Sequence, residues 1–187
     1  MSVMRLRSLR FIVVVLTVVG MGCTSSGRGE ATPTISTALA AAPASSEQQP
    51  ASCRAGELKL DVGPDFGAAG TEHQYFSLTN TASRSCTLNG YPGVTFVASD
   101  GRVVADNFER ASDPPPSAVA VAPGNTASFQ VNYGGGGVGC QREVSWTTVR
   151  VIPPNDTGVL SAPFKDSACG GYTVHAVQAG PPPQANG

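Results

Sequence analysis

From Leu58 onward the chain alternates apolar and polar residues with a period of two. Leu58, Leu60 and Val62 alternate with Glu57, Lys59 and Asp61, and Phe76 and Leu78 alternate with Tyr75, Ser77 and Thr79. Ala127, Phe129, Val131 and Tyr133 alternate with Thr126, Ser128, Gln130 and Asn132. Tyr172, Val174 and Ala176 alternate with Thr173, His175 and Val177. Such alternation puts one face of each strand in a core and the other in water, as in antiparallel sheets. No segment of this region carries a convincing helical period. Turn chemistry agrees. Asp100-Gly101 separates Val94–Ala98 from Arg102–Ala105, which predicts a hairpin. Pro123-Gly124 separates Ala118–Val121 from Thr126–Tyr133, with Pro and Gly where a type II turn requires them. About eight or nine short strands at this spacing predict an all-β, antiparallel, immunoglobulin-like β-sandwich.

The pattern changes at both ends. Arg5, Arg7 and Arg10 precede an apolar run from Phe11 to Met21, which ends in Gly22-Cys23. The run is shorter than the roughly 20 apolar residues of a membrane-spanning helix. A basic start, a short apolar middle and a small residue before cysteine are the order of an export signal of the lipoprotein type. The expectation is therefore a signal over residues 1–22, cleavage before Cys23, and lipid on its thiol. One position departs from that pattern: Gly20 stands three residues before the cysteine, where a branched aliphatic residue is usual, and Val19 is one place early. The alternative is an ordinary secretory signal and a secreted protein. Residues 23–52, rich in Ser, Thr, Ala, Pro and Gln, read as a tether without enough apolar surface to fold. A coil of this length reaches on the order of 30 Å. The globular domain is expected over 53–179, with a disordered tail from 180 to 187.

Composition narrows the function. The whole chain has 12 basic and 13 acidic residues. Without the three signal arginines the balance is 9 − 13 = −4. A mildly acidic chain lacks the basic face that nucleic acid requires. Of five cysteines, assigning Cys23 to lipid leaves Cys53, Cys86, Cys140 and Cys169. An even number in an exported chain reads as disulfides, for which three pairings exist. The favoured pairs, Cys53–Cys86 and Cys140–Cys169, join sequence-local strands, and each closes a loop of about 30 residues, worth roughly 3–4 kcal/mol by chain entropy. No C-x-x-C spacing supports a metal.

Several segments carry a family resemblance. They are Cys53, Ser77-Leu78-Thr79-Asn80-Thr81, Cys86-Thr87-Leu88-Asn89-Gly90-Tyr91-Pro92-Gly93, Val121-Ala122-Pro123-Gly124, Cys140, Trp146 and Cys169-Gly170. Together they resemble the actinobacterial envelope lipoproteins that carry domain of unknown function 4232. The resemblance implies an immunoglobulin-like, extracytoplasmic domain and brings no activity and no catalytic residues.

The search for chemistry finds little that assembles. His73 and His175, the two histidines, fall on the polar parity of their strands and read as solvent-facing. There is no G-x-S-x-G. Asp106 and Glu109 read as solvated loop acids, and Gly134–Gly139 lacks the Lys-Ser/Thr of a phosphate loop. The expectation is a non-catalytic module without metal or cofactor; the less favoured alternative is an enzyme, which predicts a concave pocket gathering polar residues from distant strands. Its expected partners are the membrane, through lipid on Cys23, and an envelope protein or wall polymer. The segment Asp106–Ser117, with Phe108, Arg110 and Asp113-Pro114-Pro115-Pro116, reads as a stiff recognition loop. Tyr91 and Trp146 join Phe108 and Arg110 as candidate recognition residues. Tyr75, Tyr91 and Trp146 are candidate platforms for carbohydrate. Alternation breaks near Thr147–Thr148, where a bulge would turn a side chain outward.

Overall fold

The computed structural model describes residues 50–135 and 140–184. The expected signal, Cys23, nearly all of the tether, the middle of the glycine loop and the last three residues lie outside the described residues. Among the described residues a short 3-10 turn, Ala55–Glu57, is followed by twelve strands. In chain order they are β1 (Leu58–Ala68), β2 (Thr71–Asn80), β3 (Cys86–Asn89), β4 (Gly93–Val97), β5 (Val103–Ala105) and β6 (Glu109–Arg110). The second half holds β7 (Ala118–Val121), β8 (Thr126–Gly134), β9 (Val144–Ile152), β10 (Leu160–Ala168), β11 (Thr173–Val174) and β12 (Gln178–Ala179).

Three sheets result. The largest runs β1-β2-β8-β11-β6, with β12 also on β8; the second runs β10-β9-β4-β5; β3 and β7 form a two-stranded ribbon. Pairing is antiparallel throughout except between β6 and β11. Both expected disulfides are formed, Cys53–Cys86 and Cys140–Cys169. Alternation acts as read: Phe76, Leu78, Phe129, Val131 and Tyr133 point into the core, while Tyr75, Ser77, Gln130 and Asn132 lie on the outer parity. Rings of both sheets meet in the core. Phe76 stacks on Phe129 at 5.3 Å and meets Phe164 edge-on at 5.3 Å. Phe96 lies 4.2 Å from Trp146, nearly parallel to it.

Both predicted turns are present. Gly101 (φ +85°) closes the β4–β5 hairpin. Gly124 (φ +76°) follows Pro123, and Asn125 N–H donates to the Ala122 carbonyl at 3.0 Å, as in a type II turn. Asn80, fully buried, ties this turn down: its amide donates to the carbonyls of Val121 and Arg84, both at 2.8 Å. The motif residues of the sequence are thus structural.

Five readings are corrected. A strand over Leu160–Ala168, with Pro163 inside it, was not expected and is one edge of the second sheet. Val62, expected in the core, is 38% exposed, because the β1–β2 register shifts between Val62 and Asp65. Val177, expected outward, is buried, because the chain breaks its alternation between the two-residue strands β11 and β12. Pro50 and Ala51, expected in the tether, are tied to the domain: Thr87 N–H donates to the Ala51 carbonyl, and its hydroxyl to that of Pro50, both at 3.0 Å. At the other end, Gly180–Gln184 is not free of the domain. Gly180 N–H donates to the Thr126 carbonyl at 3.1 Å.

Candidate functional site

The recognition segment expected at 106–117 is fastened to the domain. Glu109 and Arg110 form β6, with Glu109 N–H on the Tyr172 carbonyl and Ala111 N–H on that of Val174, both at 3.0 Å. Phe108 is half-buried and packs on Phe96 and Tyr172 at 5.3 Å and 5.2 Å. Tyr91 is half-buried too; its hydroxyl donates to the Ala111 carbonyl at 2.6 Å, and the Arg110 guanidinium covers its ring at 5.2 Å. Trp146 is 1% exposed and offers no surface to a ligand. The break of alternation in β9 is real, but its register shift lies against β10, between Pro163 and Asp166, and it leaves Trp146 inward. Apolar packing and paired backbone thus occupy most of the surface that the sequence assigned to recognition. Arg110 remains exposed.

A notch of about 350 Å³ opens beside Ser99, Ser145, Thr147, Lys165 and Asp166. Its carboxylate is already committed. Asp166 accepts from the buried Tyr133 hydroxyl and from Ser167 N–H. Burial, and then this carboxylate, push the Tyr133 phenol far above its ordinary range, so it stays protonated. This pair ties the two sheets together.

The outer face of the large sheet is different. Register sets His73 opposite Asn132, and Tyr75 opposite Gln130, on β2 and β8; β11 brings Thr173 beside Asn132 from the other edge. The side chains join into one network. Gln130 Nε2 donates to Asn132 Oδ1 at 2.6 Å. His73 Nδ1 lies 2.8 Å from that Nε2 and 2.9 Å from that Oδ1, and its tautomer decides which of the two it pairs with. Asn132 Nδ2 is 3.0 Å from His175 Nε2. The acceptor there is the neutral imidazole, because burial pushes the His175 pKa down, against the opposing pull of the Asp113 backbone. Next to the network, Tyr75 meets Phe66 edge-to-face at 5.8 Å.

The C-terminal segment crosses this face. β12 pairs with the edge of β8 that faces away from β2, and Pro182 reaches Gly63 of β1. The segment between them therefore passes over β8 and β2. It covers Ser128, which has outer parity yet is only 6% exposed. The bulge in β1 accommodates it. A Cβ at Gly63 would stand 3.1 Å from both Pro182 Cγ and the Tyr75 carbonyl oxygen, so any larger residue would have to push the crossing segment outward by a few tenths of an ångström. The Gln74 amide donates to the Gly63 carbonyl at 2.9 Å, which the bulge leaves outside the ladder.

Two grooves remain on either side of Pro183. One, of about 240 Å³, is bounded by Tyr75, Pro114, Gln130, His175, Gln178 and Pro181. The other, of about 580 Å³, is bounded by Phe66, His73, Tyr75, Gln130 and Gln184. Tyr75 and Gln130 belong to both. Parity placed His73, Tyr75 and His175 outward from sequence; their convergence with Gln130 and Asn132 was missed, since it depends on strand pairing.

His175 makes a testable prediction for stability. Its folded-state pKa lies below the ordinary 6.5, so the unfolded chain binds the extra proton first as pH falls. Stability is full above about pH 6.5 and is lost as pH drops through the depressed value. The groups facing it are His73, Asn132 and Asp113. Thermal melts are expected to show a fall in Tm between pH 7.5 and pH 5, and His175→Gln should flatten that interval. An unchanged slope in the variant would remove His175 as the source.

These features define a disulfide-stapled β-sandwich module with a polar, aromatic-edged sheet face. The chain belongs to the family of the domain of unknown function DUF4232, whose model matches residues 53–181. No curated protein and no solved structure matches it. The two disulfides accord with an oxidising, extracytoplasmic setting.

Proposed function

We propose that this chain is a non-catalytic binding module of the cell envelope, held outside the cytoplasmic membrane by lipid on Cys23, and that it engages its ligand on the outer face of the large sheet. The observation that carries the reading is the His73–Gln130–Asn132–His175 network beside Tyr75, borne on paired strands rather than on loops. Side chains held this way give up little freedom on binding. The basic-apolar-Cys order of residues 5–23 supports the anchor. Of the candidate recognition residues, Phe108, Tyr91 and Trp146 are taken up by packing, so the reading moves recognition from the sandwich end to the sheet face. Pro114 brings the 106–117 segment to that face as part of its rim.

Two measurements test the halves separately. Cys23→Ala should shift the protein from the membrane pellet to the soluble fraction; retention in the pellet at the original level would reject the lipid anchor. The soluble Cys23→Ala protein should still co-sediment with washed, delipidated envelope material, and adding Tyr75→Ala should release it. Equal sedimentation with and without Tyr75 would reject the sheet face as the binding surface.

A further inference from the structure

We infer that the ligand of this face is a neutral polyhydroxylated glycan, seated over Tyr75 and hydrogen-bonded by Gln130, His73 and Gln178. The inference rests on the binding reading above and narrows it to one chemical class.

Charge decides first. Neither groove has an Asp, Glu, Lys or Arg in its described lining. Phosphate and carboxylate ligands are held by Arg or Lys, and cationic ligands by carboxylates, so both classes lack their usual partner here. Hydrogen-bond character decides next. Side-chain amides and imidazole each present donors and acceptors together, which matches hydroxyl groups that donate and accept at once. The inner network uses Gln130 Nε2 and His73 Nδ1. Among the described residues it leaves Gln130 Oε1 and His73 Nε2 for an occupant. Shape decides last. Tyr75 is half-buried at the boundary of both grooves, with Phe66 perpendicular to it at 5.8 Å. An aromatic ring with one dry side and one wet side suits the apolar C–H face of a sugar ring, with its hydroxyls turned to the amides. Two grooves that share Tyr75 and Gln130 suit successive units of a chain rather than one isolated sugar. Pro183 of the crossing segment, which borders both grooves, supplies a stiff wall between them.

The test titrates the full chain carrying Cys23→Ala with cellohexaose, maltohexaose, mannohexaose and arabinohexaose by calorimetry, and follows the two imidazole signals by NMR. At least one saccharide is expected to bind with a Kd below about 1 mM. Tyr75→Ala and Gln130→Ala should each weaken that binding by about tenfold or more, and Tyr75→Phe should retain most of it. Melting curves of the variants, expected to match the parent, separate lost contacts from lost fold. If no saccharide binds, but a neutral proline-rich decapeptide shifts both imidazole signals, the glycan class is wrong while the binding face stands. If neither probe binds, the glycan inference is rejected, and the co-sedimentation of the Tyr75→Ala protein decides whether the binding face falls with it.

Discussion

Trp146→Ala should cost about 3–5 kcal/mol, the range for deleting a buried large aromatic side chain. The indole is 1% exposed and stands at the centre of the ring cluster. It lies flat on Phe96 at 4.2 Å and meets Tyr133 edge-on at 5.3 Å, with Phe164 at 5.9 Å. Truncation opens a cavity among rings from both sheets, which close only partly because each is anchored on a paired strand. A loss of this size lowers the Tm of such a domain by roughly 10–20 °C. Trp146→Phe separates ring packing from hydrogen bonding. Among the described residues the indole N–H has no hydrogen-bond partner, so replacing the indole with Phe breaks no bond to them. Trp146→Phe is therefore expected to cost only about 1–2 kcal/mol, for the lost volume alone. Urea denaturation of the two variants checks the ratio. Equal losses would mean that the indole nitrogen matters and that its environment is misassigned.

The second large effect concerns the disulfides. The sequence separations are 33 for Cys53–Cys86 and 29 for Cys140–Cys169, so chain entropy alone gives each about 3–4 kcal/mol. Their surroundings differ. Cys53 and Cys86 are fully buried in the core, whereas Cys169 is exposed and Cys140 half-exposed. The buried bridge fastens the incoming chain to β3, next to the hydrogen bonds that Thr87 makes with Pro50, Ala51 and Cys53. The double variant Cys53→Ala, Cys86→Ala loses the cross-link and also leaves space in the core. Its urea midpoint should fall further than that of Cys140→Ala, Cys169→Ala. Under native conditions a mild reductant should open Cys140–Cys169 first, as read by alkylation and mass analysis. The reverse order would contradict the burial described for Cys53 and Cys86.

The parts of the fold legible in sequence were those in which one local pattern decides. Phe76 and Leu78, and Phe129, Val131 and Tyr133, were assigned inward by alternation alone, and the hairpin at Asp100-Gly101 by its turn residues. β10 was not legible because Pro163 argues against a strand; it is tolerated on an edge, where a proline need not donate to a neighbour. The inward turn of Val177 and the outward turn of Val62 both follow interruptions of pairing, which parity does not register. For the candidate face, parity set His73, Tyr75 and His175 outward, but their meeting with Asn132 joins residues 59 and 43 positions apart. Such convergence depends on strand order. The crossing segment was read as a tail because its prolines carry no periodicity; what holds it is backbone pairing to β8 and the space at Gly63. The loop at 106–117 misled for the opposite reason. Its Phe108 and Arg110 are the residues of a contact surface, and both turn to the domain itself, Phe108 against Tyr172 and the still exposed Arg110 over Tyr91.

The placement of the ligand on the sheet face is the central claim, and the chain provides its own reporter. It contains two histidines, His73 and His175, and both stand on that face. Carbethoxylation of histidine by diethyl pyrocarbonate therefore reads the face alone among the imidazole signals. With washed envelope material present, modification of both histidines should slow markedly relative to the free Cys23→Ala protein, and Tyr75→Ala should restore the free rate. Unchanged modification of both histidines in the protein that co-sediments with the envelope would contradict the account.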